Sequence, residues 1–119
     1  MIARFGRIGG PGTPSIHLGA VCGRLLSTCL TAPDRSGDAA CQTRQILQVI
    51  DTHLAEHGSG RDRLLMVQVW LADMDDFAAF RGVWNGWVLP DHPPALSVVQ
   101  AAASRRDTLV EIRAYAAAR

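Results

Sequence analysis

The chain has few of the features that tie a sequence to a compartment, a metal or a nucleic acid. Its three cysteines, Cys22, Cys29 and Cys41, are an odd number with no Cys-x-x-Cys spacing. That pattern argues against a disulfide framework and a zinc knuckle and leaves three reduced thiols, each read as a small buried hydrophobe. A nucleophilic cysteine would need an electropositive, partly exposed setting, which spacing cannot supply. The formal net charge is +1, with acidic and basic residues interspersed, so no basic stripe is available to follow a phosphate backbone and nucleic acid is not expected as a partner. The apolar runs are short and interrupted by polar residues, and the N-terminus lacks a basic stretch leading into a hydrophobic one. A cytoplasmic protein with no membrane partner is expected. No repeat or low-complexity tract stands out.

What is present suits one domain over residues 1–119: 48% apolar residues are enough for a modest core. Residues 2–8 read as a weak strand broken by Gly9-Gly10-Pro11-Gly12, taken as a flexible loop. Residues 18–22 and 25–30 read as a hairpin turning at Gly23-Arg24. Asp38 is placed to cap a helix over 39–57, stopped at Gly58, whose Ile46, Leu47, Ile50 and Leu54 recur at helical spacing. In the strand over 64–71 the parity Leu65, Val67, Val69 and Leu71 is apolar and expected to face the helices. Met66, Gln68 and Trp70 are expected at a subunit boundary or cavity. Asp73 is read as the cap of a second helix over 74–85 ending at Gly86, with Phe77, Phe80 and Trp84 on one side. Strands over 95–102 and 108–116 close the chain. In the last, Thr108, Val110, Ile112 and Ala114 share one face and Leu109, Glu111, Arg113 and Tyr115 the other.

This order predicts an α+β sandwich, a mixed sheet with two helices on one face. A sheet of this size with an uncovered face calls for a partner, and symmetric closure is the physical expectation.

Four segments carry a family resemblance: the Gln42-Thr43-Arg44-Gln45 helix start, the Trp70-Leu71-Ala72-Asp73-Met74-Asp75-Asp76-Phe77 junction, Pro93-Pro94-Ala95-Leu96-Ser97-Val98-Val99, and Leu109-Val110-Glu111-Ile112. In order and spacing they resemble the Rid family, also called YjgF, of reactive-intermediate imine and enamine deaminases. The resemblance implies the chorismate-mutase-like YjgF fold and a homotrimer whose sheets surround a central barrel. It also implies small-molecule pockets between subunits, and no cofactor or metal. In deaminating members the motif reads Pro-Ala-Arg-Ser and the arginine clamps the substrate carboxylate; here that position is Leu96. The family's Ser-Gly-Gln stretch falls on Thr28-Cys29-Leu30, its N-terminal aromatic near His17, and its water-orienting glutamate on Glu111.

The resemblance thus implies Glu111 and His17 as catalytic candidates and Thr28, Cys29 and Leu96 as substrate-binding ones, to which the reading of the residues adds Val98, Trp87 and, for sharing strand parity with Glu111, Arg113. Losing one partner of a buried charge pair costs about 2–5 kcal/mol, which points to a small imine, enamine or tautomerisable compound without the usual carboxylate. The exception would be another cation, Arg24 or Arg113, taking over. An apolar cleft lined by Leu96 and Val98 would raise the Glu111 pKa toward neutrality and suit it to proton transfer; the alternative is a strand glutamate paired with an arginine across the subunit boundary. A binding module without catalysis and a purely structural trimer also remain open. His53 and His57 lie one helical turn apart, but with no third ligand they read as solvated or helix-flanking, and His92 as exposed.

Overall fold

The computed structural model describes residues 1–119. Strands β1 (Ile2–Gly10), β2 (Thr13–Cys22) and β3 (Leu25–Thr31) precede helix α1 (Ala39–Glu56). Strand β4 (Leu64–Leu71), helix α2 (Phe77–Trp87), β5 (Ala95–Gln100) and β6 (Val110–Ala117) follow. The strands form one six-stranded sheet in the order β1-β2-β3-β6-β4-β5, antiparallel throughout except for the β4–β5 pair. The parallel pair is joined through α2, as a crossover connection requires. No helix is long and apolar enough to cross a membrane.

β6 decides which side of the sheet is core. Its residues alternate strictly between buried and partly exposed, with Val110, Ile112, Ala114 and Ala116 at 0–1% exposure. Those four meet Leu26, Leu30, Val67, Val69 and Leu71 from the neighbouring strands and Ile46, Leu47, Ile50, Leu54, Phe80 and Trp84 from the helices in one apolar cluster. The other face of β6 carries Glu111, Arg113 and Tyr115.

Helix α1 starts and stops where its sequence says. The Asp38 carboxylate accepts from Cys41 N at 2.9 Å, and Gly58, with φ 67°, takes the left-handed turn that ends it. Inside, Gln42 is fully buried and joins two distant loops. Its amide nitrogen donates to the carbonyls of Arg35, Gly37 and Asp107 at 3.0–3.3 Å, and its oxygen accepts from Leu109 N at 3.0 Å. One side chain therefore satisfies backbone groups of the loop before α1 and the loop before β6.

Several expectations are corrected. The opening glycine–proline segment is the tight turn of a β1–β2 hairpin, since β1 and β2 extend to Gly10 and Thr13 and pair there. Asp73 caps a short 3-10 turn, accepting from Asp75 N at 2.8 Å, and α2 begins after it and runs through Gly86 to Trp87. Leu65 does not face the helices: the β4–β6 register slips between Leu64 and Met66, leaving Leu64 buried and Leu65 53% exposed. Cys22 is exposed, and Cys29 and Cys41 are half-buried.

His53 is also not solvated. Its Nδ1 lies 2.8 Å from Thr28 Oγ1 in a buried hydrogen bond, and the Phe5 ring packs edge-on at a centroid distance of 4.8 Å. Phe5 reaches it by crossing Gly19, its register partner, where an added Cβ would fall 2.2 Å from the ring. Burial lowers the His53 pKa, with the neighbouring His57 adding to the effect and Glu56 opposing it.

Two outcomes follow. Gln42→Leu should lose about 2–4 kcal/mol in urea unfolding, because partly buried loop groups lose their partner; a loss within experimental error would show those loops held elsewhere. For His53 the unfolded chain binds the extra proton below pH 6.5, so stability is complete above that value and declines as pH falls through it toward the lower folded pKa. The melting temperature should therefore fall from pH 7 to pH 5 less steeply in His53→Gln than in wild type, and equal slopes would count against the assignment.

Candidate site on the open face of the sheet

The face turned away from the helices is built from the odd residues of β3 and β6 and the even residues of β4. Register places Cys29 opposite Arg113 and Thr31 opposite Glu111 across β3–β6, and Gln68 opposite Arg113 and Trp70 opposite Glu111 across β4–β6. Because β6 lies between β3 and β4, its polar face meets both. A concavity of about 320 Å³ opens here, lined among others by Arg4, His17, Ser27, Cys29, Arg113 and Tyr115.

Cys29 and Glu111 are in contact. The thiol donates to Glu111 Oε2 at 3.5 Å, and burial, then the Glu111 charge and this hydrogen bond, push the Cys29 pKa up to about 11, against an opposing pull from Arg113. At neutral pH the thiol keeps its proton. Arg113 takes no part in any ion pair of the chain; its guanidinium carbon lies 5.3 Å from the Trp70 ring centroid and 5.7 Å from that of Tyr115. Its Nε is buried without a hydrogen-bond partner.

Of the residues singled out from sequence, the structure brings Cys29, Glu111 and Arg113 together and places His17 on the same concavity. It separates the rest. Thr28 still borders the concavity, but its hydroxyl is held by His53 on the helix side. Trp87 belongs to the helix layer: its indole donates to Asp51 at 3.0 Å, beside the Arg61–Asp51 ion pair at 2.7 Å. That cluster borders a larger groove of about 750 Å³ between α1 and α2, remote from Glu111 and internally satisfied. Leu96 and Val98 do not line a cleft around Glu111 within one chain. They pair with Val67 and Val69, whose side chains are buried on the helix side, and β4 stands between β5 and β6. Arg24 is absent from the concavity lining, which holds Arg4 instead. Trp70 stands on the open face opposite Glu111, as its even parity in β4 predicted, whereas Arg4 was not singled out and becomes part of the site only through β1–β2 pairing.

A thiol with a pKa about 11 holds on the order of one part in a thousand as thiolate at pH 8. Mass spectrometry of iodoacetamide-treated protein should show Cys22 alkylated at least about tenfold faster than Cys29, with Glu111→Gln narrowing the gap. Equal rates in the wild type would contradict the contact.

Residues 22–118 match the family model described as Endoribonuclease L-PSP. The RutC family protein YoaB of Escherichia coli is 39% identical over 80 residues, covering 67% of this chain and 70% of that protein. A RutC family protein of Haemophilus ducreyi is 37% identical over 79 residues, 66% of this chain and 68% of its own length. Among solved structures, a YjgF-family protein of Neisseria meningitidis superposes with a TM-score of 0.86 at 31% identity, covering 100% of this chain and 96% of that one. An uncharacterized Pseudomonas aeruginosa protein gives 0.88 at 31%, with both chains fully covered. In sequence and in fold, the chain belongs to the YjgF/RutC family.

Proposed function

We propose that this protein is a cytoplasmic homotrimer that acts on a small imine, enamine or related tautomerisable metabolite at the open sheet face, with Glu111 as the proton-transferring group. The observation that carries this reading is the Cys29–Glu111 contact of 3.5 Å beside a concavity that also holds His17. A carboxylate partly withdrawn from water next to a thiol that stays protonated can accept a proton from an attacking water and return it to the departing nitrogen. For an imine, water adds to the carbon, the C–N bond breaks, and ammonia leaves with a carbonyl product. The chain contains no lysine, so a lysine Schiff base is not open to it, and the nucleophile is water. The mixed charge and net +1 favour this over RNA cleavage, despite the family description.

Trimerisation rests on the uncovered face. Met66 and Val99 are 39% and 40% exposed there, on the parity of Gln68 and Trp70, and Leu96 is 41% exposed at the β5 edge. Apolar side chains grouped on one sheet face are covered at lowest cost by a second copy of the same surface. The second reading, a small-molecule-binding trimer without catalysis, is favoured by Leu96 standing where the deaminases have an arginine.

Ammonia release from freshly generated 2-iminopropionate and from uncharged imines tests the assignment. Glu111→Gln should lower turnover of whichever compound reacts by about a hundredfold or more; an undiminished rate removes Glu111 from the chemistry. Sedimentation equilibrium should give a mass near three chains, and a monomer would overturn the assembly.

A further inference from the structure

The helix layer has a concavity of its own. The groove of about 750 Å³ between α1 and α2 falls within the volume range of clefts that hold small organic ligands. It lies on the helix side of the sheet, away from the face through which the proposed trimer assembles, so that assembly leaves it uncovered. Its α2 wall is formed by Ala78, Gly82 and Gly86, which follow one another at successive turns on one side of the helix. Glycine inside a helix is less favourable than alanine, because it gives up more backbone freedom on folding. Nothing within the chain offsets that loss here. Neither Gly82 nor Gly86 takes a positive φ, and a Cβ added at either would meet no atom within 4 Å. The space left by their missing side chains belongs to the groove.

The charged groups that line the groove are unevenly committed. Both Asp51 carboxylate oxygens accept from Arg61, at 2.8 and 2.7 Å, and one also accepts from the Trp87 indole at 3.0 Å. Arg61 is spent in return on Asp51 and on the Trp87 carbonyl at 2.9 Å, with its guanidinium over the Trp87 ring. Arg44 and Gln48, at adjacent turns of α1, make no side-chain hydrogen bond or ion pair within the chain. With Arg61 and Asp51 cancelling each other, Arg44 leaves the groove with an uncompensated positive charge. Leu47 and Val83 make the lining between these groups apolar.

We propose that this groove binds a flat, mostly apolar molecule with a single acidic group, its rings laid on the glycine side of α2 and its anion turned toward Arg44 and Gln48. Glycine at 82 and 86 lets a ring reach van der Waals contact with the helix backbone. The free guanidinium supplies a charge-assisted donor to the acid, and the Gln48 amide a neutral one. The site is separate from the open sheet face and does not depend on Glu111 being catalytic.

The probes are anilinonaphthalene sulfonate and phenylnaphthylamine, which share their rings and differ in charge, each titrated into the protein by fluorescence. Arg44→Gln should weaken the sulfonate at least about tenfold and change the uncharged amine by less than about twofold. Gly82→Leu, which places a side chain in the groove, should weaken both probes at least about tenfold. The double variant Gly82→Ala with Gly86→Ala should raise the melting temperature by a few degrees and still weaken both. Stabilisation together with lost binding cannot come from damage to the fold. A further readout needs no variant: in the ¹⁵N-edited spectrum of wild type the Gly82 and Gly86 amides should shift on adding the sulfonate. The proposal is overturned if wild type binds neither probe, if binding survives Gly82→Leu, or if Arg44→Gln affects both probes alike. It is equally overturned if only open-face residues shift in the spectrum, or if the stabilised alanine variant binds as tightly as wild type, which would leave positions 82 and 86 as exposed glycines without a ligand.

Discussion

Everything in this molecule is arranged about the two-residue period of β6. Four side chains of near-zero exposure on one side fix the strand against both helices, and that leaves Glu111, Arg113 and Tyr115 no choice of face. A slip of one residue would bury a glutamate and an arginine in the apolar cluster, at a cost comparable to the roughly 5–15 kcal/mol by which domains are stable. β6 is also flanked on both edges, by β3 and β4, so its register is fixed twice. The site inherits this rigidity, because Cys29, Gln68 and Trp70 are held by ladder hydrogen bonds to the strand that carries Glu111 and Arg113.

Buried polar groups do the rest of the positioning. Gln42 is embedded in the core yet uses both ends of its amide on backbone groups of two loops distant in sequence. Left unpaired, those groups would each oppose folding, so the hydrogen bonds specify the loop paths. The Thr28–His53 pair does the same between β3 and α1, and it commits the Thr28 hydroxyl to the helix side even though the residue borders the concavity.

The electrostatic arrangement of the open face is uneven. Glu111 is engaged by a thiol that cannot easily lose its proton, while Arg113 faces aromatic rings in place of its neighbouring carboxylate. A paired glutamate and arginine would have neutralised each other. Kept apart, the carboxylate and the guanidinium keep their opposite charges on the open face, and the proposed acid–base role of Glu111 rests on that separation.

Much of this was legible in the residues themselves. The limits of α1 follow from Asp38 and Gly58, its buried face from the spacing of Ile46, Leu47, Ile50 and Leu54, and the two faces of β6 from alternation; each depends on neighbours within a few residues. The family motifs marked Glu111 for the same local reason. What the sequence could not determine is which faces meet. The slip at Leu64–Met66 turned Leu65 outward, β5 settled beyond β4 with Leu96 and Val98 on the helix side, and Thr28 and Cys29, adjacent in the chain, went to opposite faces. Register arises from pairing between strands tens of residues apart, and only the folded sheet sets it; that pairing, and not the order of residues along the chain, placed Arg113 between Trp70 and Tyr115 and brought Cys29 to Glu111.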